Sequence, residues 1–381
     1  MIYFDNSATT KPYKEVLDSF MKVSNDYFAN PSSLHRFGGQ AEKLLTQARE
    51  QVARLLNTKP GEIFFTSGGT ESNNLAIKGA AFQNRNRGRH IITTKIEHPS
   101  VRDAAAQLER DGFEITYLPV DQSGRVSLSA VEQAIRKDTI LVSIMHVNNE
   151  VGSIQPIKEI GELLKNYPTI LFHVDAVQGI GKVPLSITES RIDLCSLSAH
   201  KFHGLKGTGV LYIREGVKLT PLFSGGNQER TLRSGTENVA GFVSLAKALR
   251  LTMMKSDSGL KAMKQINNLL RTELSKIEGI TINTPADDSA PHILNFSLTG
   301  IKSETFIHAL EQRDVFVSTT SACSSKKKAP SHTLIAMGVA EDLAERAIRL
   351  SLSFENTEQE AKKVIKAISD TVNQLGKVMK K

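Results

Sequence analysis

Short apolar runs alternate with amphipathic stretches through most of the chain. Between residues 60 and 215 the apolar runs are bounded by turn residues, as is typical of buried strands, and helical patterns fall between several of them. This alternation predicts a mainly parallel sheet covered by helices. The predicted strands are 63–65, 91–92, 115–120, 140–147, 170–174, 194–197 and 210–213, and the predicted helices are 71–83, 99–111, 127–137 and 156–166, preceded by a helical stripe over 41–56 that follows Gly38 and Gly39.

The pattern changes after about residue 240. A long helical region leads into a second unit with strand-like runs near 293–298, 315–317 and 348–352. We therefore predict an α/β protein with a large domain over 15–255. A smaller α+β domain is predicted over 256–381, together with residues 1–14. No linker rich in Pro, Gly or Ser marks the boundary.

Composition narrows the classes of protein that this chain can represent. With 381 residues, 40% hydrophobic and 23% charged, it has the balance of a globular protein rather than a disordered or collagen-like one. No run approaches the roughly 20 apolar residues of a membrane helix, and the first residues lack a signal-peptide layout. Two cysteines, Cys195 and Cys323, do not form a disulfide framework, so a reducing cytoplasm is expected. The net charge of +8 does not require nucleic acid.

Three segments carry candidate chemistry. The run from Ser67 to Glu71 follows a predicted strand and opens a helix, which suits an anion such as phosphate, although a plain helix cap explains it equally well. Asp175 ends a predicted strand, where it could pair with a protonated ring nitrogen or simply cap a helix. Lys201 lies among small residues, so it could form a Schiff base, whereas most lysines are surface residues. His200 and His203 lack a third ligand, and no metal is expected.

These segments occur together with further motifs over nearly the whole chain. In combination they resemble the cysteine desulfurases of the NifS and IscS type, in the class V branch of fold-type I pyridoxal-phosphate enzymes. The resemblance implies that fold, with a large domain carrying a mainly parallel sheet and a smaller C-terminal domain. The matching segments are Tyr3–Thr10, Asn30–His35, Thr66–Glu71, Glu97–His98, His146–Glu150, Asp175–Gln178, Ser198–Lys201, Arg233–Thr236, Ser321–Cys323 and Arg349–Ser351.

The resemblance implies a role for each matching residue. Lys201 would carry pyridoxal 5'-phosphate and act as the base, and Asp175 would hold the ring nitrogen protonated. Arg349, with Asn149, would bind the substrate carboxylate, and Cys323 would take the sulfur as a persulfide. His98 would stack on the ring and offer a nearby catalytic acid or base. Further cofactor contacts would come from Asn149, from Gln178 on the ring oxygen, from Gly69, Thr70, Ser198 and His200 on the phosphate, and from Thr236 of the neighbouring subunit of a homodimer.

The predicted function is therefore conversion of L-cysteine to L-alanine, with sulfur passed to an acceptor protein. An iron–sulfur scaffold or a tRNA sulfurtransferase would suit as acceptor. Cys323 precedes the lysine run 326–328, whose positive charge favours a thiolate. This run is expected to be a solvated loop tip, or else a contact for an acidic acceptor. A selenocysteine lyase, a class V aminotransferase and a non-catalytic scaffold are the alternatives, because a shared fold does not fix the reaction.

Overall fold

The structure is a computed structural model that describes residues 1–319 and 330–379. The strands are β1 (Ile2–Tyr3), β2 (Ile63–Thr66), β3 (His90–Thr94), β4 (Glu114–Leu118), β5 (Thr139–Met145), β6 (Leu171–Asp175), β7 (Leu194–Ser198), β8 (Gly209–Ile213), β9 (Ile280–Ile282), β10 (Ile293–Leu298), β11 (Val315–Phe316), β12 (Ser318–Thr319) and β13 (Ala347–Ser351). The α-helices are α1 (Lys14–Asp26), α2 (Arg36–Leu55), α3 (Gly69–Asn84), α4 (Pro99–Arg110), α5 (Leu128–Ala134), α6 (Ile157–Leu164), α7 (Val239–Leu274), α8 (Ser303–Glu311), α9 (His332–Ala336), α10 (Glu341–Glu345) and α11 (Glu358–Met379).

A seven-stranded sheet organises the first two-thirds of the chain, in the order β2-β8-β7-β6-β5-β3-β4. All neighbours are parallel except β8, which runs antiparallel to both β7 and β2. The prediction of a mainly parallel sheet is confirmed. Two neighbouring side chains of β5 enter different apolar clusters, with Val142 on one face and Leu141 on the other. Because helices cover both faces, the strands read as continuous apolar runs rather than alternating ones.

The sequence prediction did not include α1, β1 or β9, and two predicted elements differ in their extent. Helix α2 includes Gly38 and Gly39 and begins at Arg36, because the His35 ring accepts a hydrogen bond from the Gly38 amide at 3.1 Å. A Cβ at Gly38 would come within 2.2 Å of the Ser33 carbonyl oxygen, so only glycine allows this close approach. The strand predicted over 315–317 is β11, which ends at Phe316 and pairs with β1; a second short strand, β12, follows it and pairs with β13 in another sheet.

The last third of the chain builds a second core on a four-stranded antiparallel sheet, in the order β12-β13-β10-β9. Phe296, Phe306 and Ile348 are fully buried there, and Phe4 joins them from the N-terminal segment. The 36-residue helix α7 contributes side chains to both cores. The domain boundary predicted between residues 255 and 256 falls inside this helix, and it stays a prediction.

The described part of the chain contains no helix that is long and apolar enough to span a membrane.

A buried ion pair holds the edge strand β2 in place. The Glu229 side chain, 2% exposed, accepts hydrogen bonds from both terminal nitrogens of Arg49, at 2.8 and 2.6 Å. Glu229 also accepts from the amide of Phe65, and Arg49 donates to the carbonyl of Ile63. The pair thereby ties α2 and the loop around residue 229 to β2, which runs directly into the turn before α3.

Arg49→Ala is expected to destabilise the protein by about 3–5 kcal/mol, because the variant leaves the Glu229 carboxylate buried without its counter-charge. Urea unfolding followed by circular dichroism measures this change. Lys59→Ala is the matched control: it breaks a pair with Glu215 whose side chains are 70% and 71% exposed, and its unfolding midpoint should stay at that of the wild type. An unchanged midpoint for Arg49→Ala would contradict the structural role of the buried pair.

Candidate active site

One cavity of about 520 Å³ collects most of the predicted site residues. It lies where β5, β6 and β7 end and α3 and α4 begin, at the edge where parallel sheets place their ligands. Thr236 is exposed and does not line it, and Cys323 lies outside the described residues. The predicted residues that line the cavity are Gly69, Thr70, His98, Asn149, Asp175, Gln178, Ser198, His200, Lys201 and Arg349.

Asp175 is the last residue of β6, and it is 5% exposed. One carboxylate oxygen accepts a hydrogen bond from the Asn73 side chain at 2.7 Å, and the other accepts from the Val177 amide at 3.0 Å. A series of turns follows, not an α-helix, so Asp175 does not act as the cap of an α-helix. Its partners orient a carboxylate at the floor of the cavity.

A chain of hydrogen bonds joins Asp175 to His98. Asn73, on α3, donates from the same amide nitrogen to Asp175 and to the Ser100 hydroxyl, at 2.7 and 2.9 Å. The Ser100 hydroxyl lies 2.8 Å from Nδ1 of His98, and the Ser100 amide donates to the same ring nitrogen. Because Nδ1 accepts, the neutral ring carries its proton on Nε2. The sequence prediction missed Asn73 and Ser100, although both lie in or next to matched motifs.

Burial lowers the pKa of His98, and the positive charge of Lys201 lowers it further, whereas the Asp175 carboxylate opposes both effects. The ring is therefore neutral at physiological pH. The pKa of Glu97, the preceding residue, is raised rather than lowered. Burial raises its pKa to about 8, against hydrogen bonds from Thr94 and from the amide of Met145. Glu97 lines the cavity as a neutral acid, a feature that the sequence prediction did not identify.

The turn before α3 forms an anion-binding end of the cavity. Gly68 has a φ of +150°, and no side chain caps the N-terminus that follows it. A Cβ at Gly69 would lie 2.8 Å from a methyl group of Val177 and 3.4 Å from the Ser198 Cβ, so the glycine allows the helix to start close to β7. Burial lowers the pKa of His200 to about 4, and the neighbouring Lys201 adds to this effect. A neutral donor and a helix N-terminus suit a phosphate group.

Lys201 follows β7 in a 3-10 helix over Ala199–Lys201. Its side chain is partly buried, and Nζ donates to the carbonyl oxygens of Ser7 and of Ala8, the latter at 2.9 Å. The N-terminal segment therefore passes directly over the amine. These contacts place Lys201 in the cavity, whereas most lysines extend into solvent.

Arg349 reaches the cavity from β13, the strand between β12 and β10. It is 5% exposed, and its terminal nitrogens donate to the Asn149 carbonyl at 2.8 Å and to the Asp5 carboxylate at 3.1 Å. The main-chain carbonyl of Asn149, not its side chain, therefore holds the Arg349 guanidinium, and the Asp5 carboxylate holds it as well. The sequence prediction did not identify Asp5. Burial raises the pKa of Asp5, and the charge of Arg349 counteracts the rise.

The residues fit the pyridoxal phosphate that the resemblance implies. Five polar atoms of cavity residues are buried without a hydrogen-bond partner among the described residues: Ser7 Oγ, Asn73 Oδ1, Glu97 Oε2, Gln178 Oε1 and Arg349 Nε. Such atoms are costly when dry and are satisfied when a polar ligand is bound. The cavity also combines an anion-binding helix start, a buried carboxylate and an amine. These are the groups that complement a phosphate, a protonated ring nitrogen and an aldehyde.

Comparison with known proteins gives one consistent result. Residues 2–364 match the model of the family described as aminotransferase class-V. The chain is 48% identical to a "NifS/IcsS protein homolog" of Lactobacillus delbrueckii subsp. bulgaricus, over 99% of both chains. It is 43% identical to "Cysteine desulfurase IscS" of Dictyoglomus turgidum, over 98% of this chain and 95% of the relative.

A solved structure described as "NIFS-LIKE PROTEIN" superposes with a TM-score of 0.92 at 41% identity, and the match covers 98% of this chain and 99% of that one. The family match and the full-length relatives confirm the resemblance drawn from the motifs. The chain therefore belongs to the class-V aminotransferase family and, within it, to the NifS/IscS-type cysteine desulfurases.

Proposed function

We propose that this protein is a cysteine desulfurase that converts L-cysteine to L-alanine and passes the sulfur, as a persulfide of Cys323, to an acceptor protein. The observation that carries the proposal is the single cavity that joins the amine of Lys201, the carboxylate of Asp175 and the guanidinium of Arg349. An amino acid presents an amine and a carboxylate to such a site. The family membership supports the assignment of the reaction.

Proteins of this family depend on pyridoxal 5'-phosphate, which withdraws electrons from the substrate Cα when it is bound. In this chain we assign the ring nitrogen to Asp175 and the ring oxygen to Gln178, with His98 against the ring face. The phosphate is assigned to the start of α3 and its surroundings, namely Gly69, Thr70, Ser198 and His200. These assignments rest on the motifs and on the shared cavity.

Arg349 would bind the substrate carboxylate through its guanidinium, whose orientation the Asn149 carbonyl and Asp5 already hold. A substrate held at its carboxylate presents its Cα hydrogen in one direction, which lowers the entropic cost of deprotonation. The amine of Lys201 would accept that proton. His98, neutral and with its proton on Nε2, can donate a hydrogen bond at the same site without adding charge.

Sulfur transfer is assigned to Cys323. Its thiolate would attack the substrate sulfur, so that an S–S bond forms while the Cβ–S bond breaks and its electron pair stays on carbon. Protonation of that carbon then yields alanine. Cys323 lies outside the described residues; Pro330, the first described residue after it in the sequence, lines the cavity together with Ser331 and Thr333. That neighbourhood supports the assignment.

A homodimer with shared sites is part of the proposal. Thr236 is exposed and away from its own cavity, as expected for a residue that serves the phosphate of a neighbouring subunit. Large apolar side chains are also exposed near the start of α2, with Phe28 75% exposed and Leu34 fully exposed. Apolar surface of this kind is typical of an interface between subunits. Sedimentation equilibrium should give about twice the mass of the chain.

We further propose a cytoplasmic location and an acceptor that is either an iron–sulfur scaffold or a tRNA sulfurtransferase. The cysteine content supports the location, because two cysteines do not suit an oxidising compartment. Transfer of sulfur-35 from labelled cysteine to co-purified proteins identifies the acceptor. Label on tRNA would indicate the thiolation pathway, and label in a cluster-binding protein would indicate the iron–sulfur pathway.

Lys201→Ala is expected to lower alanine production by orders of magnitude, because both the attachment point of the cofactor and the Cα base are removed. The visible absorbance of the lysine-bound cofactor, about 390–420 nm, should disappear as well. Alanine is measured by chromatography after incubation with cysteine. Lys206→Ala, an exposed neighbour, is the control and should keep both signals. Normal alanine production by Lys201→Ala would overturn the assignment.

Arg349→Ala is expected to raise the KM for cysteine roughly tenfold or more, because a hydrogen-bonded charge pair contributes about 1.5–3 kcal/mol. The absorbance of the resting protein should not change. Steady-state kinetics measure the effect. Arg346→Ala removes a side chain three residues away that pairs with Asp342 on the surface, and its KM should match the wild type. A shifted resting spectrum with an unchanged KM would assign Arg349 to the cofactor instead.

Cys323→Ala is expected to abolish alanine and sulfide production while cysteine still perturbs the visible spectrum, because only sulfur abstraction needs the thiol. Brief exposure of the wild type to cysteine should add about 32 Da to the peptide that carries Cys323. The control is Cys195→Ala. Cys195 is buried in β7, and burial raises the pKa of its thiol, so this variant should stay active. Sulfur found on Cys195 would exclude the proposed transfer.

A further inference from the structure

The segment 223–236 leads to Thr236, the residue assigned to the phosphate of the neighbouring subunit, through a strained stretch of backbone. Three consecutive residues, Glu229, Arg230 and Thr231, have positive φ angles of 43°, 57° and 68°. Left-handed backbone is costly for residues other than glycine, and it persists where the surroundings hold it. Glu229 is the buried carboxylate of the ion pair that holds β2. The segment is therefore fixed in one shape by its contacts with the rest of the fold.

Two hydrogen bonds inside the segment close it on itself just before Thr236. The Gly235 amide donates to the side-chain oxygen of Gln228 at 3.1 Å. The Ser234 hydroxyl donates to the main-chain carbonyl of Gly226 at 3.0 Å. The residues next to Thr236 are thus held by their own segment, while Thr236 itself is exposed.

An ion pair joins the same segment to the start of α3. Nε of Arg233 donates to Oε1 of Glu71 at 2.9 Å, and Nη2 of Arg233 lies 3.4 Å from Oε2. The side chain of Glu71 is 9% exposed and that of Arg233 is 24% exposed. Oε2 of Glu71 also accepts a hydrogen bond from the Ser67 amide at 2.9 Å. A two-pronged contact with this much burial is better ordered than an ion pair in solvent.

Glu71 does not serve its own cavity. Thr70 and Asn73, which are three residues apart and share a face of α3, line the cavity, and Glu71 is not among the lining residues. The Glu71 carboxylate is instead paired with Arg233, which lies three residues before Thr236 in the sequence.

We propose that Arg233 is a positioning residue that acts across the dimer: anchored on Glu71, it holds Thr236 where its hydroxyl reaches the phosphate in the cavity of the neighbouring subunit. The inference rests on the homodimer with shared sites under the proposed function. A side chain that serves another subunit has no support from its own cavity, so its position must be fixed in advance by its own chain. The start of α3, assigned to one phosphate, thereby also holds the segment that serves the other.

The first test measures cofactor binding without turnover. Protein freed of cofactor is titrated with pyridoxal 5'-phosphate, and the absorbance of the lysine-bound form reports occupancy. Arg233→Ala should weaken the apparent affinity roughly tenfold, because a hydrogen bond to a charged phosphate is lost. In a Thr236→Ala background the same change should add little. Arg191→Ala, which breaks an exposed pair with Glu162, should titrate like the wild type. Fully additive losses for Arg233→Ala and Thr236→Ala would overturn the proposal.

Mixed dimers show which cavity Arg233 serves. Two chains with different purification tags are co-expressed, and one of them carries Lys201→Ala, so that only the cavity of the other chain gives the absorbance. With Arg233→Ala in the absorbing chain, the affinity should stay at that of the wild type. With Arg233→Ala in the Lys201→Ala chain, it should fall roughly tenfold, because that chain supplies Thr236. The reverse pattern, or equal affinities of the two mixed dimers, would overturn the proposal.

If far-UV circular dichroism shows that Arg233→Ala does not fold, Arg233→Lys replaces it in both mixed dimers. Lysine keeps the positive charge but not the two-pronged contact with Glu71, so the same asymmetry should appear at smaller size, and its absence would overturn the proposal. A wild-type chain that sediments as a monomer would contradict the proposed homodimer together with this inference. Equal affinities of the mixed dimers, with a dimeric wild type, would contradict this inference alone.

Discussion

The burial of the Asp175 carboxylate at the end of β6 is the constraint on which the site depends. A carboxylate in a dry position needs hydrogen-bond donors, and here they are the Asn73 side chain and the Val177 amide. Asn73 can donate only if α3 packs across the strand ends, and its second N–H then goes to Ser100. Ser100 in turn sets the tautomer of His98. The satisfaction of one buried charge thus orients the first turns of two helices and the ring that faces the cavity.

The other side of the cavity depends on chain segments that are far apart in the sequence. Arg349 comes from β13, and the N-terminal segment supplies both the Asp5 carboxylate that pairs with it and the carbonyl of Ala8 that holds Lys201. Lys201 and the Asp175 carboxylate line the same cavity as Arg349. Burial lowers the pKa of Lys182 to about 7, with a further contribution from the charge of Lys201, and it lowers the pKa of His203 to about 4.

Much of the fold was predictable because its signals are local. Continuous apolar runs predict strands that are buried on both faces. The positions of β5 and β6 in the structure agree with the runs 140–147 and 170–174 to within two residues. Two of the differences from the prediction have tertiary causes. Helix α2 contains two glycines that a sequence pattern interprets as a break, yet Gly38 is required by its approach to Ser33. The strand predicted over 315–317 ends at Phe316, and the separate strand β12 follows it because β11 and β12 pair with different strands.

The sequence by itself determined the alternation of strands and helices, the motifs of the family, and the residue types that complement a phosphate, a ring nitrogen and a carboxylate. These features are encoded over a few neighbouring positions, so they can be recognised without a fold. Only the tertiary structure decided that Asn73, Ser100 and Asp5 support the site and that Lys182 lies behind Lys201. Each of these roles is a contact between residues at least 19 positions apart, and packing, not local pattern, brings such residues together.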